Sequence, residues 1–110
     1  MKKRLSMLGL AAFIAAVAIT GTGEGAGEPA ITVKIENFSY SPNPLMVPVG
    51  ATVTWINRDL VPHDVVSDDK TFKSRLLEKD DRFSYVFSKS GTYRYVCSIH
   101  PKMTANIVVK

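Results

Sequence analysis

The chain has 110 residues, with 14 Lys and Arg against 10 Asp and Glu and a formal net charge of +4. Its length predicts a single domain. Three of the basic residues, Lys2, Lys3 and Arg4, open the chain, and taking these three from the 14 leaves 11 basic residues against 10 acidic ones. A nearly neutral remainder excludes nucleic acid as an expected partner, because such proteins present a clustered basic surface.

The first 30 residues have the composition of an export signal. After the basic start, Leu5 to Ile19 is apolar except for Ser6 and Gly9, and small residues follow at 20–23. This order is typical of a secretory signal peptide, and the apolar run is short for an uncleaved anchor, which needs about 20 residues. We predict a signal peptide at 1–23 with cleavage between 18 and 26, a flexible leader at 24–30, and a periplasmic domain at 31–110.

Short segments with alternating apolar residues make up the rest of the chain. Ile31, Val33 and Ile35 alternate with polar residues, and the same period recurs at 53–57, 83–87 and 93–97. A two-residue period predicts half-buried strands. Further short strands are expected at 45–49, where Pro48 indicates a sheet edge, and at 63–67 and 105–109.

Turn formers separate these segments and indicate the class of fold. They fill 37–44, whereas the charged stretch 68–81 is irregular, with one turn of helix considered at 73–79. Short strands with frequent turns predict an all-β sandwich or barrel with hairpin or Greek-key connections. The aromatic residues with inward parity, which we assign to the core, are Trp55, Phe83, Tyr85, Phe87, Tyr93 and Tyr95.

The stretch from Cys97 to Met103 concentrates the chemistry. It holds the only cysteine, Cys97, one of the two histidines, His100, and Met103, spaced three residues apart after a predicted strand. Considered one at a time, these residues would be interpreted as a buried core cysteine, a surface histidine and a methionine that fills space in the core. With His63 they supply the thiolate, two imidazoles and axial thioether of a blue-copper site, and a structural zinc site suits the same residue types. Since one cysteine cannot form an internal disulfide, a metal ligand explains its presence in an exported chain.

From Ile31 to Lys110 the chain resembles the cupredoxins, and among them the amicyanin-like and plastocyanin-like small blue copper proteins. The residues that carry the resemblance are Val53-Thr54-Trp55-Ile56-Asn57, Pro62-His63-Asp64-Val65, Gly91-Thr92-Tyr93, Tyr95 and Cys97-Ser98-Ile99-His100-Pro101-Lys102-Met103. The resemblance implies a Greek-key β-sandwich of seven or eight strands with one type 1 copper. It also implies His63, Cys97 and His100 as equatorial ligands and Met103 as the axial ligand.

Two positions depart from the family pattern. The residue after the first ligand is often Asn in the family and is Asp64 here. A carboxylate can still accept hydrogen bonds from Ser98, but its charge biases the copper potential downward. Lys102 occupies a position that is commonly apolar or aromatic on the family's docking face, so partner identity does not carry over.

The resemblance implies an exported electron carrier that does no bond chemistry. Its partners would be a donor dehydrogenase or cytochrome and an acceptor cytochrome or oxidase, and a monomer without stable membrane insertion is expected after signal cleavage. A multicopper enzyme would need many imidazoles, whereas this chain has two histidines. The alternative is a periplasmic copper-binding or delivery protein, which would release the ion to an acceptor instead of holding it through redox cycles.

Overall fold

The computed structural model describes residues 30–110, and within this range all regular structure is β-strand. The eight strands are β1 Ala30–Glu36, β2 Ser39–Ser41, β3 Leu45–Val47, β4 Thr52–Asn57, β5 Val66–Ser67, β6 Arg82–Val86, β7 Gly91–Cys97 and β8 His100–Val109. No helix in this range has the length and apolar character needed to cross a membrane. The predicted signal peptide and nearly all of the predicted leader lie outside the described residues.

The strands form two four-stranded sheets, in the orders β2-β1-β4-β6 and β3-β8-β7-β5. Both sheets are mixed, because β1 pairs with β4 and β3 pairs with β8 in parallel while the other neighbours are antiparallel. The chain passes from one sheet to the other and back several times, as a Greek-key sandwich requires. The predicted all-β sandwich of seven or eight strands is therefore confirmed.

Alternate residues of the strands fill the space between the sheets. Trp55 on β4, Tyr95 on β7 and Phe87 just after β6 are among the largest fully buried side chains, and the ring centroids of Trp55 and Tyr95 lie 5.5 Å apart. Phe83, Tyr85 and Tyr93 are half-buried and pack against this core. The predicted inward parity of the aromatic residues is thus confirmed.

Four local expectations differ from the structure. The segment predicted as a turn at 37–44 contains β2, and the closing strand begins at His100 instead of 105. The strand expected at 63–67 is reduced to β5, because the preceding residues pair with the 68–81 segment. The helical turn at 73–79 is absent, since Lys73 and Leu77 form isolated bridges to Val66 and His63.

Candidate metal centre

The β7–β8 connection places two of the predicted ligands at one end of the sandwich. Cys97 ends β7, His100 begins β8, and the two residues pair across the short Ser98–Ile99 turn, beside a register irregularity at Val96. The inward parity of β7 buries the Cys97 side chain completely. A tight turn between paired strands therefore brings a thiol and an imidazole together without help from distant residues.

His63 reaches the same place from the other side of the sandwich. It lies in the connection between β4 and β5, and its backbone exchanges hydrogen bonds with Leu77 (His63 N–H to Leu77 O 3.2 Å, Leu77 N–H to His63 O 2.7 Å). The side chains of His63 and Leu77 are fully buried. The irregular 68–81 segment thus anchors the backbone of His63 through a strand-like bridge.

The three side chains converge on one point. The Cys97 Sγ lies 3.8 Å from His63 Nδ1 and 3.5 Å from His100 Nδ1, and their ligand atoms all lie within 4.8 Å of one another. His100 is half-buried, whereas the other two are buried. Met103, three residues along β8, has a buried side chain and lines the same groove as His100.

This donor set fits a copper ion. A sulfur and two imidazole nitrogens in a buried site suit Cu(I) and Cu(II) together, and they do not suit magnesium or calcium, which prefer oxygen ligands. Cys97 and His63 are fully excluded from solvent, which also limits the access of competing water.

Asp59 orients the His63 ring. Its Oδ2 lies 2.8 Å from His63 Nε2, and the tautomer that donates Nε2–H to this carboxylate leaves Nδ1 free as the metal ligand. Burial opposes ionisation of Asp59, but hydrogen bonds from the Phe38 and Asn37 N–H groups and from His63 outweigh it and lower the pKa of the carboxyl. A carboxylate held in its charged form is therefore a lasting acceptor for the imidazole.

Asn57 ties the His63 connection to the sheet. It is fully buried at the end of β4. Its Nδ2 donates to Val61 O at 2.9 Å and to Leu77 O at 2.8 Å, and its Oδ1 accepts from Asp59 N–H at 2.9 Å. One amide side chain thus satisfies three backbone groups around His63, as a buried polar group must.

Asp64 links the two ligand-bearing connections, as expected from the sequence. Its Oδ1 accepts the Ser98 N–H at 2.6 Å and its Oδ2 accepts the Ser98 hydroxyl at 2.5 Å. The Tyr40 hydroxyl donates to the Asp64 backbone oxygen at 2.7 Å, and burial raises the pKa of Tyr40 so that it stays a donor. The aspartate therefore takes over the tying role that the family often gives to an asparagine.

A largely apolar surface surrounds the exposed edge of His100. A groove of about 440 Å³ is lined by Phe38, Ile99, His100, Pro101, Lys102 and Met103. On the neighbouring connection Leu60 is 84% exposed and Val61 is also exposed. We define the His100 face as the groove residues around His100 together with the three residues that precede His63 in sequence: Phe38, Ile99, Pro101, Lys102, Leu60, Val61 and Pro62.

Sequence reasoning missed the roles of three residues that shape the site: Asn57, Asp59 and Phe38. A polar residue at an inward strand position was a signal for Asn57. Asp59 is four residues before His63, but this spacing carries information only in a helix, and the segment is a loop. Phe38 lies in a predicted turn, and nothing in its local sequence points to the metal centre.

A Greek-key sandwich with a buried thiol and two imidazoles at one end defines a class of small copper proteins. Residues 9–109 match the family model described as a cupredoxin-like domain, and the chain belongs to that family. Family and donor set together confirm the expected cofactor, one type 1 copper.

Individual relatives agree with this assignment. The chain is 40% identical over 86 residues to an amicyanin of Paracoccus denitrificans; the match covers 74% of the chain and 66% of that relative, slightly under two thirds of its length. A solved mutant of amicyanin in its oxidized state superposes with a TM-score of 0.69 at 38% identity, over 74% of this chain and 82% of the other. A novel purple cupredoxin from Nitrosopumilus maritimus gives a TM-score of 0.70 at 38% identity, and the match covers 73% of this chain and 99% of that one.

Proposed function

We propose that the protein is a one-electron carrier whose copper is bound by His63, Cys97 and His100, with Met103 as the axial ligand. The observation that carries the proposal is the convergence of one buried sulfur and two Nδ1 atoms at the end of a rigid sandwich. Bound copper would supply the Cu(II)/Cu(I) couple. The chain carries two histidines in all, and this site uses both, which supports a carrier over a multicopper enzyme.

The protein contributes a fixed ligand frame. Hydrogen bonds from the His63 ring to Asp59 and from Ser98 to Asp64 hold the two connections in place. Ligands that are held before binding move little between two charge states of an ion, so little reorganisation accompanies electron transfer. His100, the one half-buried imidazole, provides the shortest route from the site to the surface.

The His100 face is the proposed docking surface for redox partners. Its apolar residues suit a transient interface that excludes water, and Lys102 places one positive charge at its rim. Partners of the expected kinds, a donor dehydrogenase or cytochrome and an acceptor cytochrome or oxidase, would meet the protein here. The basic and apolar start of the sequence supports export to the periplasm, where the mature protein would act as a monomer.

The test is the visible spectrum of the copper-loaded protein. Wild type should absorb intensely at about 600 nm through copper–thiolate charge transfer, as blue-copper sites do. Cys97→Ser should lose this band even where copper still binds, while Ile99→Ser, in the same turn, should keep it. A persistent intense band in Cys97→Ser would refute the ligand assignment. Copper that transfers readily to an acceptor protein instead of remaining bound through repeated redox cycles would favour the delivery role.

A further inference from the structure

The turn between β1 and β2 has an unfavourable backbone conformation and lies against the metal centre. Asn37 and Phe38 have φ angles of 56° and 58°, and they separate the paired residues Glu36 and Ser39. Two positive φ angles in a two-residue hairpin are those of a type I′ turn. Its second position favours glycine, because a side chain crowds the neighbouring carbonyl in this conformation. A bulky residue kept in such a conformation is a reason to look for a function.

The Asp59 carboxylate holds this turn. Its Oδ1 accepts the Asn37 N–H at 2.8 Å and its Oδ2 accepts the Phe38 N–H at 3.0 Å. The same Oδ2 lies 2.8 Å from His63 Nε2. The Asp59 N–H donates to Asn57, which fixes the start of the loop. One carboxylate therefore joins the turn to an imidazole of the copper site across more than 20 residues of sequence.

The turn in this conformation places the Phe38 ring against both imidazoles. Its centroid lies 5.1 Å from that of His63 and 4.9 Å from that of His100, with an interplanar angle of 83° in each case. These edge-to-face arrangements are favourable for aromatic rings. The Phe38 side chain is 50% exposed while His63 is fully buried, so the phenyl ring forms part of the outer cover of the site.

We propose that the Asn37–Phe38 turn is a positioning device for the copper site: Asp59 couples the turn to His63, and the Phe38 ring restrains both imidazoles and limits the access of water. Neither residue is a ligand, and both act through His63 and His100. The inference rests on the copper site of the proposed function, because a restrained imidazole pair matters only where the imidazoles bind a metal.

Phe38→Gly tests the ring without disturbing the turn. Glycine adopts a positive φ freely, so the variant keeps both N–H donors to Asp59. The metal-free variant should resist urea at least as well as wild type. Loss of copper to a chelator should be about tenfold faster, as for other residues that orient metal ligands, and the Cu(II) electron paramagnetic resonance spectrum should change. Met46→Ala, which removes an exposed apolar side chain on β3 outside the His100 face, should leave both the rate of copper loss and the spectrum at wild-type values.

Asp59→Asn tests the coupling to His63. The carboxylate uses both oxygens, Oδ1 for the Asn37 N–H and Oδ2 for the Phe38 N–H and His63 Nε2. The amide has one acceptor oxygen, so its NH2 group must face at least one of these N–H donors, and the link between the turn and the imidazole is weakened. In the metal-free protein the His63 Nε2–H signal, which should be protected from solvent exchange in wild type, should exchange at least about tenfold faster, and copper release should accelerate by a similar factor. The control is Asp81→Asn, since Asp81 accepts the Glu78 N–H and pairs with Arg75 outside the metal centre.

Three results would overturn the proposal. The first is copper release and a spectrum in Phe38→Gly that match wild type. The second is a metal-free Phe38→Gly protein that is clearly less stable than wild type, which would make the ring a packing residue. The third is an Asp59→Asn protein that behaves like Asp81→Asn. Failure of the proposed function gives a different result, because the copper-loaded wild-type protein would then lack the intense visible absorption. In that case the exchange of His63 Nε2–H in the metal-free protein would still measure the coupling between Asp59 and His63.

Discussion

Replacing Asn57 by alanine should destabilise the protein through the loss of three hydrogen bonds around His63. Each intramolecular hydrogen bond contributes about 1 kcal/mol net, so the free energy of unfolding should fall by about 3 kcal/mol. A domain of this size has a total stability of about 4 to 12 kcal/mol. The melting temperature should therefore drop by about 12 to 24 °C, a large effect for one polar side chain.

Copper should make the Asn57→Ala defect larger. Without the amide, the connection that carries His63 loses its links to Val61, Leu77 and Asp59, so the ligand is less well placed for the metal. Changes outside the ligand shell typically weaken metal binding by about tenfold or more, which adds about 1.4 kcal/mol to the loss in the copper-loaded protein. Urea unfolding of the metal-free and copper-loaded forms measures the two losses separately.

A matched control and an isosteric variant sharpen this test. Thr54→Ala, on the same strand, removes one exposed hydrogen bond to Ser84 and should cost about 1 kcal/mol or less, equally with and without copper.

Asn57→Asp keeps the shape but turns a buried carboxylate toward the carbonyls of Val61 and Leu77. Its pKa should be raised in the folded state, so its deficit relative to wild type should be greatest above this pKa and shrink as the pH falls through it. A loss below about 1 kcal/mol in Asn57→Ala, or equal losses with and without copper, would refute the reasoning.

Three further predictions concern the ligand, the docking surface and export. Met103→Gln replaces the thioether by an oxygen donor that favours Cu(II), so the midpoint potential should fall; an unchanged potential and spectrum would place Met103 outside the coordination sphere. Lys102→Glu should change the rate of association with a redox partner at low salt more than the rate of transfer within the complex, whereas Lys89→Glu, in the turn before β7 at the opposite end from Cys97, should not; equal effects would argue against docking at the His100 face. Mass spectrometry of the periplasmic protein should show a new N-terminus before Ile31, and an intact Met1 in the membrane fraction would contradict signal cleavage and favour a tethered carrier.

The sequence determined the chemistry of the site because the ligand types are so few. With one cysteine and two histidines in the chain, a site with one thiolate and two imidazoles had to use Cys97, His63 and His100. Three of the four predicted ligands lie within seven residues at a strand end, so local geometry nearly suffices to place them. The alternating strands and the inward-facing aromatic residues were also predictable from the sequence, because a two-residue period corresponds directly to the two faces of a strand.

What surrounds the ligands was decided by tertiary structure. The Asp59 carboxylate meets the Asn37–Phe38 turn over 21 and 22 residues of separation, and no local pattern encodes such a contact. One helical turn was considered for the 73–79 segment, but Lys73 and Leu77 pair with Val66 and His63 instead. Ligand identity depends on residue type, which is written in the sequence, whereas ligand orientation depends on hydrogen bonds between loops that only the packing of the two sheets brings together.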